Sequence, residues 1–131
     1  MTGGGVFLLS AETTFSAAHS LPGCGMCENL HGHNWRVRLT VRVEESKIDS
    51  SGMGVDFLDI ERIAKQAVQD FDHAYLNDLE AFSELRPTAE SIARELFVRS
   101  ARQLEKESSI ASVAEIEVWE MPEYRAVYRP E

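Results

Sequence analysis

The sequence predicts an α+β fold of order ββααββ: a four-stranded antiparallel sheet carrying two helices on one face. Three observations lead there. Two long stretches alternate with period two, two later stretches repeat with helical spacing, and two short alternating stretches close the chain.

The first strand is FLLSAETTFSAAH, in which Phe7, Leu9, Ala11, Phe15, Ala17 and His19 share one face. The second is HGHNWRVRLTVRVEE, with His31, His33, Trp35, Val37, Leu39, Val41 and Val43 on one face and Arg36, Arg38, Thr40 and Arg42 on the other. Between them, SLPGCGMCENL is too long for a tight hairpin turn and rich in turn formers. Asp56 is a candidate N-cap for a helix whose apolar face is Ile60, Ile63, Ala64, Ala67, Val68 and Phe71. The loop DHAYLNDLEAFSELRP leads to Thr88, the N-cap candidate of a second helix marked by Ile92, Leu96, Phe97, Ala101 and Leu104. AEIEVWE and AVYR, joined at MPEY, read as the last two strands.

A length of 131 residues fits one domain, 1–131, large enough for a core and small enough that a site can need a neighbouring subunit. Apolar residues at 44% and charged residues at 27% are those of a globular protein. A net charge of −9 argues against nucleic acid or an anionic membrane as the main partner, because both need clustered positive charge. No apolar run is long enough to span a bilayer, and MTGGGVFLLS lacks the basic and apolar regions of a secretory signal. Two cysteines three apart cannot staple a fold, so thiols beside histidines suggest metal or catalysis in a cytoplasmic protein.

His31 and His33, two apart on a strand, point to one side of the sheet. His19 lies on the apolar face of the preceding strand, and antiparallel pairing would bring the three imidazoles together facing the helices. Three neutral imidazoles leave one position of a tetrahedral Zn2+ open, the catalytic pattern. The competing arrangement is a closed structural site of Cys24, Cys27, His31 and His33, which the spacing CGMCENLHGH permits but which leaves His19 unexplained. If the histidines hold the metal, Cys27 is free beside it. A nearby cation would favour its thiolate, making it a candidate general base. The bland alternative, a small buried apolar residue, fits poorly with so turn-rich a segment.

Asp72 and His73, placed at the end of the first helix, form a candidate proton relay in which the carboxylate sets the tautomer; a histidine answering the helix dipole is the plainer reading. Glu120 continues the apolar face of Ile116 and Val118. A carboxylate there needs a partner, either a side chain such as Arg125 or a ligand offering two N–H groups.

These residues together resemble the 6-pyruvoyltetrahydropterin synthase / 6-carboxytetrahydropterin synthase family. The likeness runs through TFSAAH (14–19), CENLHGH, GVDF (54–57), FDHAYLND (71–78), RPTAE (86–90) and VWE (118–120). It implies the tunnelling fold, a dimer of trimers whose sheets close into barrels, with active sites between subunits. It implies zinc on His19, His31 and His33, Cys27 as proton acceptor with Asp72 and His73 as its relay, and Glu120 as the anchor of the pterin ring and a further member of the proton relay. The implied substrate is 7,8-dihydroneopterin triphosphate. Three residues between Cys27 and His31 resemble the queuosine-pathway branch, which makes 6-carboxytetrahydropterin; the biopterin branch tends to a longer gap. Cys24 is an extra thiol, and Glu28 an acid where some folate-linked relatives replace the cysteine by glutamate. From another class, the rival is a silent zinc-stabilised assembly protein, which would have no use for Cys27, Asp72 and His73.

Overall fold

The structure is a computed structural model and describes residues 3–131. The expected elements are present: strand β1 (Val6–His19), strand β2 (His31–Glu44), helix α1 (Phe57–Ala67), helix α2 (Ala89–Glu107) and strand β4 (Ala111–Met121) followed by β5 (Tyr124–Tyr128). Both anticipated N-caps are made. The Asp56 carboxylate accepts from Leu58 N at 2.8 Å, and Thr88 Oγ1 accepts from Ser91 N at 3.1 Å.

The sheet has five strands rather than four: with β3 (Ala74–Tyr75) added, the order is β3-β1-β2-β4-β5. The added strand runs parallel to β1, so the sheet is mixed rather than wholly antiparallel. Two residues carry no readable periodicity; the strand is held by its flanks. His73 N donates to Ser16 O at 2.6 Å and Ser16 N donates to Asp72 Oδ1 at 2.9 Å. At the far end the Asn77 side chain bonds both main-chain groups of Ser20.

Antiparallel pairing of β1 with β2 sets His19 opposite His31 and Val6 opposite Glu44. The odd-numbered face of β2 meets the helices, and Trp35, Val37, Leu39, Val41 and Val43 are buried. Phe15 stacks on Trp35 with ring centroids 5.7 Å apart, and Ile60, Ile63, Ile92 and Leu96 close the core from the helices. The expected face of β1 is buried only in its second half. Phe7 is 47% exposed. Helix α1 also ends earlier than the apolar repeat suggests: Val68 is the C-cap, and buried Phe71 lies in the turn that follows.

Strand β4 is irregular twice. Between Thr40 and Val41 the partners step from Glu115 to Val113, leaving Ala114 as an extra residue. This explains how Val113 and Ile116, of opposite parity, are both buried. A second shift between Trp119 and Met121 leaves Glu120 as the extra residue at the site.

Candidate metal and catalytic site

The alternation of β1 and β2 brings the three histidines onto the helix side of the sheet. Ring centroids are 4.5 Å apart for His19 and His31, 4.9 Å for His31 and His33, and 5.3 Å for His19 and His33. Trp35 forms the floor beneath them, edge-to-face with His19 and His33. Each of His19, His31, His33 and Glu120 offers one ligand atom, all within 4.8 Å of one another, so the group can hold a metal ion.

Hydrogen bonding prepares two of the rings for that task. His19 Nδ1 lies 2.8 Å from Pro87 O and His31 Nδ1 lies 2.7 Å from Asn29 O. A carbonyl only accepts, so each Nδ1 carries the proton and each Nε2 keeps its lone pair. His19 Nε2 and His33 Nε2 are buried and lack a well-aligned hydrogen-bond partner among the described residues. Such orphaned nitrogens are costly unless a ligand satisfies them, and a metal ion fits that need.

The electrostatics agree. Burial is the main cause that lowers both His19 and His33 below the ordinary histidine value, and it outweighs the nearby Glu120 charge. Both rings are therefore neutral near pH 7, the form that binds metal. In the metal-free protein, the unfolded chain takes up protons more readily than the native one. The contribution of these rings to stability is full above pH 6.5 and is lost as pH falls through their depressed native values. Urea midpoints of metal-free protein should fall as pH drops below 6.5, and His33→Asn should make that fall shallower. An equally steep fall in the variant would remove His33 as a cause.

Glu120 is placed differently from expectation. Its Oε1 is 3.1 Å from His33 Nε2, inside the histidine group, and its side chain is 28% exposed. Arg125, the side chain considered as its partner, instead pairs with Glu117 at 3.1 Å. Glu117 is the buried carboxylate of β4, on the opposite face, held also by Arg38 at 3.2 Å. Parity along β4 put Glu120 on the side of the sheet where the histidines lie. Its closeness to His33 depends on cross-strand register and the second β4 irregularity, neither of which has a signal in sequence.

Cys27 lies half-buried in a 3-10 turn (Gly25–Glu28) of the loop between β1 and β2, and Cys24 is exposed at its N-cap. Gly23 and Gly25 take φ of +85° and +76°, a conformation open to glycine, which lets the loop turn sharply. Neither cysteine belongs to the metal-competent group, which speaks against the closed Cys24, Cys27, His31, His33 arrangement. The Cys27 thiol is pushed up, mainly by the Cys24 thiol beside it, with burial and the Glu120 charge adding. Without a metal the expected thiolate is therefore disfavoured. Glu28 turns inward on its own loop, accepting from Gly23 N at 2.8 Å.

Asp72 and His73 form a pair, with Asp72 Oδ2 3.1 Å from His73 Nδ1. The Ser16 N–H is the main cause that holds the Asp72 carboxyl below its ordinary range. The pair lies beyond α1 in a turn rather than at the helix end, and His73 has φ of 60°, unusual for a residue with a Cβ. His73 is 84% exposed beside an open cleft of about 530 Å³ that Ser16, Asn34 and Tyr75 also line. No hydrogen bond or ion pair joins Cys27 to Asp72 or His73 among the described residues.

Comparison with known proteins places this geometry. The family described as 6-pyruvoyl tetrahydropterin synthase matches residues 8–131. A protein of Archaeoglobus fulgidus is 35% identical over 115 residues, 81% of this chain and 94% of its own length. The 6-carboxy-5,6,7,8-tetrahydropterin synthase of Bacillus subtilis is 32% identical over 130 residues, covering 95% of this chain and 86% of its own. The structure of Caenorhabditis elegans 6-pyruvoyl tetrahydropterin synthase has the same fold, with a TM-score of 0.84 across 100% of both chains at 23% identity. A family match over nearly all of the chain joins a fold that gathers three histidines as the sequence anticipated, and the chain belongs to the 6-pyruvoyl tetrahydropterin synthase family.

Proposed function

We propose that this chain is a cytoplasmic, zinc-dependent enzyme, a single-domain 6-carboxy-5,6,7,8-tetrahydropterin synthase of queuosine biosynthesis. With one water consumed, it converts 7,8-dihydroneopterin triphosphate to 6-carboxy-5,6,7,8-tetrahydropterin, releasing acetaldehyde and triphosphate. The observation that carries the reading is the histidine group, neutral and with buried Nε2 atoms lacking well-aligned partners. Similarity to proteins named 6-carboxy-5,6,7,8-tetrahydropterin synthase favours this product, as does the spacing of Cys27 and His31.

His19, His31 and His33 would hold the zinc. Bound there, zinc supplies a Lewis acid that polarises side-chain oxygens of the substrate. Cys27 Sγ accepts a proton from the substrate side chain, and His73, oriented by Asp72, passes protons onward. Glu120 accepts two N–H bonds from the pterin ring and shares in proton transfer. Binding substrate would draw Glu120 away from His33. Among the described residues no hydrogen bond or ion pair joins Cys27 to Asp72 or His73, which supports a relay supplied by a second copy. Two open sheet edges support such assembly: β3 covers β1 only at Ala17 and Ala18, and β5 is a terminal strand. Val6, Phe7 and Leu8 are exposed near the first of these edges. The proposed assembly is a dimer of trimers with barrel-closed sheets.

Chelator-treated protein should lose triphosphate release from dihydroneopterin triphosphate and recover it with about one Zn2+ per chain. Full turnover after removal of all metal would overturn the zinc dependence.

A further inference from the structure

Ser20 stands where two functional segments part. Before it is His19, fully buried in the histidine group; after it runs the loop that carries Cys27. The Asn77 carboxamide holds Ser20 by both main-chain groups. Its oxygen accepts from Ser20 N at 2.9 Å and its Nδ2 donates to Ser20 O at 2.8 Å. Paired this way, a side chain replaces a strand partner and restrains the backbone at one residue. Tyr75 adds a contact of 2.8 Å from its hydroxyl to Ser20 Oγ. The next residue, Leu21, donates its N–H to the Cys27 carbonyl at 2.8 Å. One clamp thus lies one residue from a metal ligand and one hydrogen bond from the proposed proton acceptor.

We infer that Asn77 is a positioning residue, which by clamping the Ser20 main chain fixes His19 and the Cys27 loop relative to one another. The inference rests on the metal reading above. The clamp is only part-buried, so water can satisfy the Ser20 N–H and C=O once the carboxamide is gone. Its removal therefore loosens the geometry of the site more than it destabilises the fold. This separates positioning from a purely structural role. In that structural role, folding would weaken while the site kept its properties.

The test uses full-length protein, Co2+ as the metal probe, and alkylation of Cys27 in a Cys24→Ala background, where it is the last thiol. Asn77→Ala should weaken Co2+ binding by about 10–100-fold, the range for losing a group that orients a ligand, and change the visible spectrum of the bound cobalt. Cys27 alkylation should speed up as its loop is freed. Asn77→Asp keeps an acceptor for Ser20 N but loses the donor to Ser20 O, and provides a second variant if the alanine protein folds poorly. Asp56→Ala, which removes the cap of α1, is the control: it should lower the melting temperature while leaving both site readouts unchanged. Wild-type cobalt affinity and alkylation rate in both Asn77 variants would overturn the inference, whatever their melting temperatures. A wild-type protein that takes up no cobalt would overturn it together with the metal reading.

Discussion

Cys27→Ala should lower kcat by about 10²–10⁴-fold, the usual contribution of a positioned general base, while metal content and pterin binding stay near wild type. The expectation follows from placement. The thiol stands outside the group that can hold metal, so its loss removes no ligand. A proton acceptor acts mainly in the transition state, and substrate affinity should hardly notice it. Cys24→Ala gives the complementary result. The Cys24 thiol is the main cause raising that of Cys27, so its removal should lower the Cys27 value and speed alkylation at a fixed pH, with mild effects on turnover. Equal loss of turnover from both variants would contradict the assignment of Cys27 as the base.

Glu120→Ala should weaken pterin binding by on the order of 3 kcal/mol, about a hundredfold or more, through loss of two charge-assisted hydrogen bonds in a partly desolvated site. The short contact to His33 sharpens the experiment, because the same carboxylate is placed to act as a fourth metal ligand. As a pterin anchor, Glu120 leaves zinc affinity nearly intact when truncated. As a ligand, it takes the metal with it. Titration of zinc and of pterin against the one variant distinguishes the roles, and unchanged pterin affinity would return Glu120 to a structural acid.

The site was legible wherever it depended on strand parity. His31 and His33 had to share a face, and antiparallel pairing then delivered His19 to His31. Parity also put Glu120 on the side of the sheet where the histidines lie. What parity could not give was which carboxylate would be buried. The β4 irregularities reset the alternation, and the arginines at 38 and 125 converge on Glu117 across strands far apart in sequence. Strand β3 was hidden for a different reason. It is flanked by Asp72 and His73 bonding to Ser16 of β1 and by Asn77 bonding to Ser20 just beyond β1, so its two residues follow their neighbours' contacts rather than a pattern. The depressed thiolate character of Cys27 was equally out of reach, since it depends on how the loop folds Cys24 towards it.

The most direct measurement is the stoichiometry of small products when purified, zinc-loaded protein meets 7,8-dihydroneopterin triphosphate. Acetaldehyde, triphosphate and 6-carboxy-5,6,7,8-tetrahydropterin should appear in equal amounts, because the side-chain carbon–carbon bond breaks after triphosphate leaves. Triphosphate without acetaldehyde, and a pterin retaining its three-carbon side chain, would contradict the proposed function and make the chain a 6-pyruvoyltetrahydropterin synthase.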